Sequence, residues 1–190
     1  MNGTNKISRR TLAFAGLATA GATALLPDVA QSTQAPNRLK LEDRAGIEDL
    51  FAKYVWAYDC SDEDEFLELF TPDAVVVGKG NIYSDRPAIL AWFRNLIAMR
   101  EREGDDIWMH EAGQFRFFPG AKSCVVYAYA THFNGNSAKA ARGVRSLGYF
   151  TCECVRKGSD WKFYRFSIST WDRSIAPWKK PLPWDSLRTP

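Results

Sequence analysis

The sequence predicts an α+β fold in which three helices precede a curved, mainly antiparallel sheet. Three observations carry this expectation. Apolar residues recur at helical spacing in the first half of the chain, the period falls to two from Ile107 onward, and the period-two runs are separated by turn-forming clusters. Ile47, Leu50, Phe51, Tyr54, Val55 and Tyr58 fall on one face of a helix, with Tyr58 on the buried stripe. Asp59, Ser61 and Asp62 end that helix and cap a short second one, which keeps Phe66, Leu69 and Phe70 inside and closes at Thr71-Pro72. Ala74 to Val77 reads as a short strand. Ser84-Asp85-Arg86-Pro87 opens a third helix with Ile89, Leu90, Phe93, Leu96 and Ile97 on its core face, and the charged run from Arg100 to Gly104 dissolves it. The runs Ile107 to Phe118, Ser123 to Phe133, Val144 to Arg156 and Trp161 to Trp171 are rich in Val, Tyr, Phe, Trp and Thr. They alternate with Pro-Gly, Asn-Gly-Asn and Gly-Ser-Asp turns, the pattern of a meander.

The 190 residues, 46% of them apolar and 25% charged, suit one globular domain. The net charge is +3, and Lys6, Arg9 and Arg10 against Asp28 in the first thirty residues supply most of it. The body therefore lacks the clustered basic excess that a phosphate-backbone binder needs, and nucleic acid is not expected as a partner. Residues 1–30 read as an export signal: Ser8-Arg9-Arg10-Thr11-Leu12 precedes an uncharged, Ala- and Gly-rich run from Thr11 to Leu26. That run is too short to span about 30 Å of hydrocarbon. Adjacent arginines before a weakly apolar run resemble a twin-arginine signal, which implies a periplasmic mature protein with no membrane association after the signal is removed. Residues 31–38 follow as a linker, 39–172 as the domain, and 173–190 as a Trp- and Pro-rich tail laid over the body or a neighbouring subunit. Cys60, Cys124, Cys152 and Cys154 form no CxxC pair, and with only two histidines no zinc spacing is assembled, so no metal is expected.

The helix opening Leu41-Glu-Asp-Arg-Ala-Gly-Ile-Glu-Asp-Leu50, and the segment Tyr58-Asp59-x-x-Asp62-x-x-x-Phe66 through Phe70-Thr-Pro-Asp-Ala74, resemble the SnoaL-like branch of the NTF2-like superfamily over roughly residues 39 to 172. The resemblance implies a cone, a highly curved sheet around a hydrophobic pocket with helices closing its back. It also implies a choice of activities, since that superfamily includes dehydratases, an isomerase, a dehydrochlorinase, formaldehyde-releasing lyases and proteins without catalysis. The fold therefore licenses a pocket rather than a reaction.

In the dehydratases of that family a Tyr-Asp pair ending the first helix faces a histidine on the strand after the third helix, and a second histidine comes from the next strand. Tyr58-Asp59, Trp108-Met109-His110 and Ala130-Thr131-His132 match these elements. A carboxylate on one imidazole nitrogen fixes the tautomer, frees the other nitrogen to take a proton and stabilises the resulting imidazolium. Asp59 would then orient His110 as base, with His132 and Tyr58 assisting the leaving group. Each residue also has a plain structural reading: a mid-strand histidine can be half-buried core, and Asp59 can be a helix stop. Alternation puts His110 with Trp108 and Ala112, and His132 with the small residues Ala128 and Ala130, while Tyr127 and Tyr129 face the other way.

Two departures from the dehydratase pattern point to a different substrate. Gly78 stands where a tyrosine is expected after the first strand, and Tyr149, Phe150 and Thr151 surround the place of an active-site amide. Trp56, Phe93, Trp108, Phe150 and Trp171 would stack on an aromatic or polycyclic ligand, or else simply build core. Arg142 and Arg145 either recognise an acidic group or face solvent. The resulting expectation is a cofactor-free lyase that eliminates water, formaldehyde or a similar small group from a hydrophobic, aromatic, hydroxylated substrate, as in aromatic-compound catabolism. An isomerase and a non-catalytic ligand-binding protein are the alternatives. The resemblance further implies a homo-oligomer, a dimer or trimer formed through the outer sheet face.

Overall fold

The computed structural model describes residues 38–78, 80–104 and 106–185. The expected export signal, nearly all of the linker and the last five residues of the tail lie outside the described residues. Helix α1 (Leu41–Cys60) buries Ile47, Leu50, Phe51, Tyr54, Ala57 and Tyr58. It ends at Ser61, a non-glycine residue in the left-handed region (φ 60°), whose N–H donates back to the Tyr58 carbonyl. Helix α2 (Glu63–Glu68) starts at Asp62, whose carboxylate accepts from the Glu65 N–H at 2.9 Å. Helix α3 (Arg86–Glu103) is capped in the same way by Asp85 on the Ala88 N–H at 2.7 Å, with Pro87 in its first turn. It runs through the charged segment expected to dissolve it, because Arg and Glu are good helix formers, and it stops only at Gly104 (φ 70°).

Six strands form one sheet in the order β2-β1-β6-β5-β4-β3, from β1 (Phe70–Gly78), β2 (Asn81–Tyr83), β3 (Ile107–Pro119), β4 (Ser123–Asn136), β5 (Ala141–Lys157) and β6 (Asp160–Thr170). Only β1 with β6 is parallel; the other pairs are antiparallel. The chain thus has a mixed α+β fold with a curled six-stranded sheet and three helices. The first strand is longer than its apolar run, and β2, three residues without a periodic pattern, has no counterpart in the sequence reading. The β4–β5 hairpin extends past Asn134-Gly-Asn136, since Gly135 pairs with Arg142 and Asn136 with Ala141.

Helix α1 touches both β3 and β6, which places it in the concavity of the sheet. Phe51 meets Phe115, Phe150 and Phe163 edge-on at 5.2–5.6 Å, and Tyr54 lies 4.8 Å from Phe166. Each such pair adds about 0.5–1.5 kcal/mol beyond the area it buries. This aromatic floor fixes the C-terminal end of α1 against the open ends of β3 and β4, where the two histidines sit.

The candidate active site

The Tyr58-Asp59 end of α1 and the facing strands build the site. In the register of β3 and β4, His110 lies directly opposite His132, Trp108 opposite Asn134 and Ala112 opposite Ala130. Opposed residues of an antiparallel pair point to the same face, so both imidazoles project toward α1. The Asp59 carboxylate receives two bonds from one residue: Oδ2 accepts the His110 backbone N–H at 2.8 Å, and Oδ1 lies 2.6 Å from His110 Nδ1. The side chains are only 10% (His110) and 15% (Asp59) exposed. An ionised carboxylate only accepts, so this contact assigns the proton to Nδ1 and leaves Nε2 as the basic nitrogen.

The rings around His110 are close. Tyr58 stacks on it at 4.5 Å and His132 at 4.4 Å, while Trp108 lies 4.0 Å from His132 and 5.8 Å from His110. Burial holds the Tyr58 phenol well above its ordinary titration range; Asp59 adds to the rise, and Arg100 and Arg145 oppose it. Tyr58 is therefore a neutral hydroxyl at any working pH, able to donate a hydrogen bond. Trp108 is 8% exposed, and its buried Nε1–H has no hydrogen-bond partner among the described residues.

Two residues that the sequence reading did not single out hold this arrangement. Arg100, on the last turn of α3, donates to the Asp59 carbonyl at 3.0 Å and to Ser61 Oγ, and so pins the left-handed turn that follows the carboxylate. It continues the stripe Ile89, Phe93 and Leu96, and a cation ending an apolar stripe is the signal that could have found it. Glu103 pairs with Arg145 of β5, whose guanidinium lies 5.6 Å from the centre of the Trp108 ring. Arg142 is exposed and donates to the neighbouring Ala141 carbonyl.

Of the expected aromatic lining, Trp108 alone joins the histidines. Phe93 is fully buried between Phe66 (4.3 Å) and Tyr58 (6.1 Å), and Phe150 is core against Phe51 and Tyr54. Trp56 is 69% exposed, because it lies two positions past Tyr54 and off the buried stripe. Trp171 is 41% exposed on the other face of the sheet, against Tyr129 and Tyr149. A cavity of about 230 Å³ also opens on that outer face, between the sheet and the tail, lined by Arg116, Tyr127, Tyr129, Tyr149, Trp171 and Trp178 among others. Among the described residues no three His, Cys, Asp or Glu side chains are grouped to hold a metal ion.

A SnoaL-like domain model matches residues 39–167. The chain belongs to the SnoaL-like family. No curated protein matches the chain. Among solved structures, an NTF2-like protein with a cystatin-like fold from Novosphingobium aromaticivorans is 23% identical, with TM-score 0.59 over 70% of this chain and 85% of that one. A candidate scytalone dehydratase from the same organism is 17% identical, with TM-score 0.57 over 68% and 85%. The hexachlorocyclohexane dehydrochlorinase of Novosphingobium barchaimii is 18% identical, with TM-score 0.56 over 68% and 87%. At these identities the structures speak to the fold. They share with this SnoaL-like chain the mixed α+β fold with a curled sheet and three helices.

Proposed function

We propose that this SnoaL-like protein is a lyase that needs no cofactor, with His110 as general base and Asp59 as the residue that orients it. The observation that carries the reading is the double contact of one carboxylate with His110, at the backbone N–H and at Nδ1. Both bonds fix the ring and its tautomer before substrate arrives, and Nε2 then removes a proton from carbon. The electrons of that C–H bond form the new double bond, and water departs with the electron pair of its C–O bond. Where formaldehyde is lost, Nε2 instead takes the hydroxymethyl O–H proton and the O–H electrons form the formaldehyde carbonyl. The pair of the broken C–C bond then forms the new double bond as an adjacent oxygen leaving group departs with its own pair. A hydrogen bond from the neutral Tyr58 hydroxyl, or a proton carried by His132, assists that departure. Asp59 stabilises the imidazolium meanwhile. Acid and base assistance of this kind contributes about 10²- to 10⁴-fold per group, which suits an activated C–H bond. The stacked rings of Tyr58, His110 and His132, with Trp108 tilted beside them, favour a flat, hydroxylated aromatic substrate that loses water, formaldehyde or a similar small group.

The test is a screen of the purified protein against hydroxylated aromatic dimers and polycycles by mass spectrometry. The expected result is a product lighter by the leaving group. Stoichiometric uptake of a ligand without product would contradict the lyase and favour a binding protein. The pair Arg9-Arg10 ahead of its Ala- and Gly-rich run supports export to the periplasm, and exposed Met109, Val144 and Leu147 support a homo-oligomer. Fractionation of expressing cells and light scattering test these two readings.

A further inference from the structure

Arg145 owes its place beside the site to a register shift. His132 on β4 pairs with Ser146 on β5, but the next residue, Phe133, pairs with Val144, so Arg145 is the extra residue of a β-bulge. Such bulges re-aim one side chain out of the strict alternation. Here the guanidinium comes to lie over Trp108, a ring in contact with both histidines. Glu103 at the end of α3 is one counter-ion that it holds, and both side chains remain about one-third exposed, so the pair is open to exchange. The field of both reaches the interior, since Arg145 lowers and Glu103 raises the titration range of Tyr58.

A second observation points to a ligand here. The buried Trp108 Nε1–H has no acceptor among the described residues, and an orphaned buried donor in a native site calls for an explanation. An indole N–H and a guanidinium beside one ring are both donors, and a carboxylate is the group that accepts from both.

We infer that Arg145 and Trp108 form a carboxylate-binding subsite, so that the substrate is an aromatic acid whose carboxylate displaces Glu103 from Arg145. The inference rests on the proposed site for the position of the reacting carbon, but the subsite itself is independent of turnover. Glu103 then acts as an internal competitor: it keeps the cation paired in the free protein and yields it to the incoming anion. An arginine fork suits this exchange because it binds a carboxylate through two parallel N–H bonds.

The experiment titrates the full chain with 4-hydroxybenzoate and, separately, with 4-hydroxybenzyl alcohol by calorimetry, and follows the indole N–H resonance of Trp108, assigned through Trp108→Phe. The acid should bind about 10- to 100-fold more tightly than the alcohol, the range set by a charge-assisted hydrogen bond, and should move the Trp108 resonance downfield. Arg145→Gln should abolish that preference, Arg145→Lys should retain part of it, and Glu103→Gln should strengthen binding of the acid. Circular dichroism verifies that each variant is folded. His110→Gln should keep the preference, so a failure of the lyase reading leaves this result standing. Equal affinity for the two probes, no binding of either, or a preference that survives Arg145→Gln would overturn the subsite.

Discussion

Replacing Asp59 by Asn tests the dyad at the level of single atoms. The carboxylate gives one oxygen to the His110 backbone N–H at 2.8 Å and the other to Nδ1 at 2.6 Å. Asn has one oxygen and one NH₂ in the same volume. The backbone N–H is a fixed donor and takes the oxygen, which leaves the NH₂ facing Nδ1. Nδ1 must then accept, the ring proton moves to Nε2, and the nitrogen that should abstract a proton no longer can. The loss of base and of charge stabilisation should lower kcat by about 10²- to 10⁴-fold. Folding stability should fall by about 1.5–3 kcal/mol, the range for a hydrogen bond to a charged group that is largely shielded from water. Turnover of a substrate found by the screen gives the first number and urea denaturation the second. Nitrogen-15 NMR of the imidazole reads the tautomer directly. An Asn variant that keeps its proton on Nδ1, or turns over at the wild-type rate, would refute the reasoning.

Three further outcomes are expected. Arg100→Gln removes the bonds to the Asp59 carbonyl and Ser61 Oγ; it should cost about 1–3 kcal/mol in urea denaturation and weaken turnover by misplacing the carboxylate, and wild-type values for both would dismiss the clamp. Native protein should react with a thiol reagent at Cys60 alone: Cys60 is exposed, whereas burial pushes the Cys124 thiol up to about 11 and holds Cys152 and Cys154 well above the ordinary thiol range, so the other three should react only after denaturation. Asp172 is held at about 2, below its ordinary 3.8, by the Ser174 backbone N–H, the Ser174 hydroxyl and Lys180. Its hold on the tail is therefore fully present above the ordinary carboxylate value and is lost as pH falls through about 2. Pepsin should cut the tail faster in that window, and Asp172→Asn should open the same cleavage to a neutral-pH protease; an unchanged pattern in the Asn variant would show that Asp172 does not hold the tail.

Much of this geometry is legible in the residues because two periods carry it. The helical spacing of Ile47 through Tyr58 turns Tyr58 inward and leaves Asp59 at the helix end, and strand alternation puts Trp108, His110 and Ala112 on one face. The same rules, applied strictly, exclude Trp56, which is off the stripe, and Trp171, which alternates away from Phe166, Ile168 and Thr170. Residue type alone points to both, since aromatic side chains suggest stacking wherever they occur. The placement of Arg145 is illegible for a different reason. A bulge is a count of two residues against one on the facing strand, and nothing in the local pattern of Val144, Arg145 and Ser146 announces it. Arg100 shows in the sequence only as a cation ending an apolar stripe, and Glu103 acts across a long sequence separation through a side chain that reads as ordinary helix surface.

The most direct measurement is turnover by His110→Gln beside the wild type, on one substrate, with binding measured in the same samples. Gln fills similar space and can still accept and donate hydrogen bonds, but it cannot take a proton near neutral pH. Retained affinity with kcat reduced at least about 10²-fold is the predicted result; turnover equal to that of the wild type would show that the proton is removed by another group.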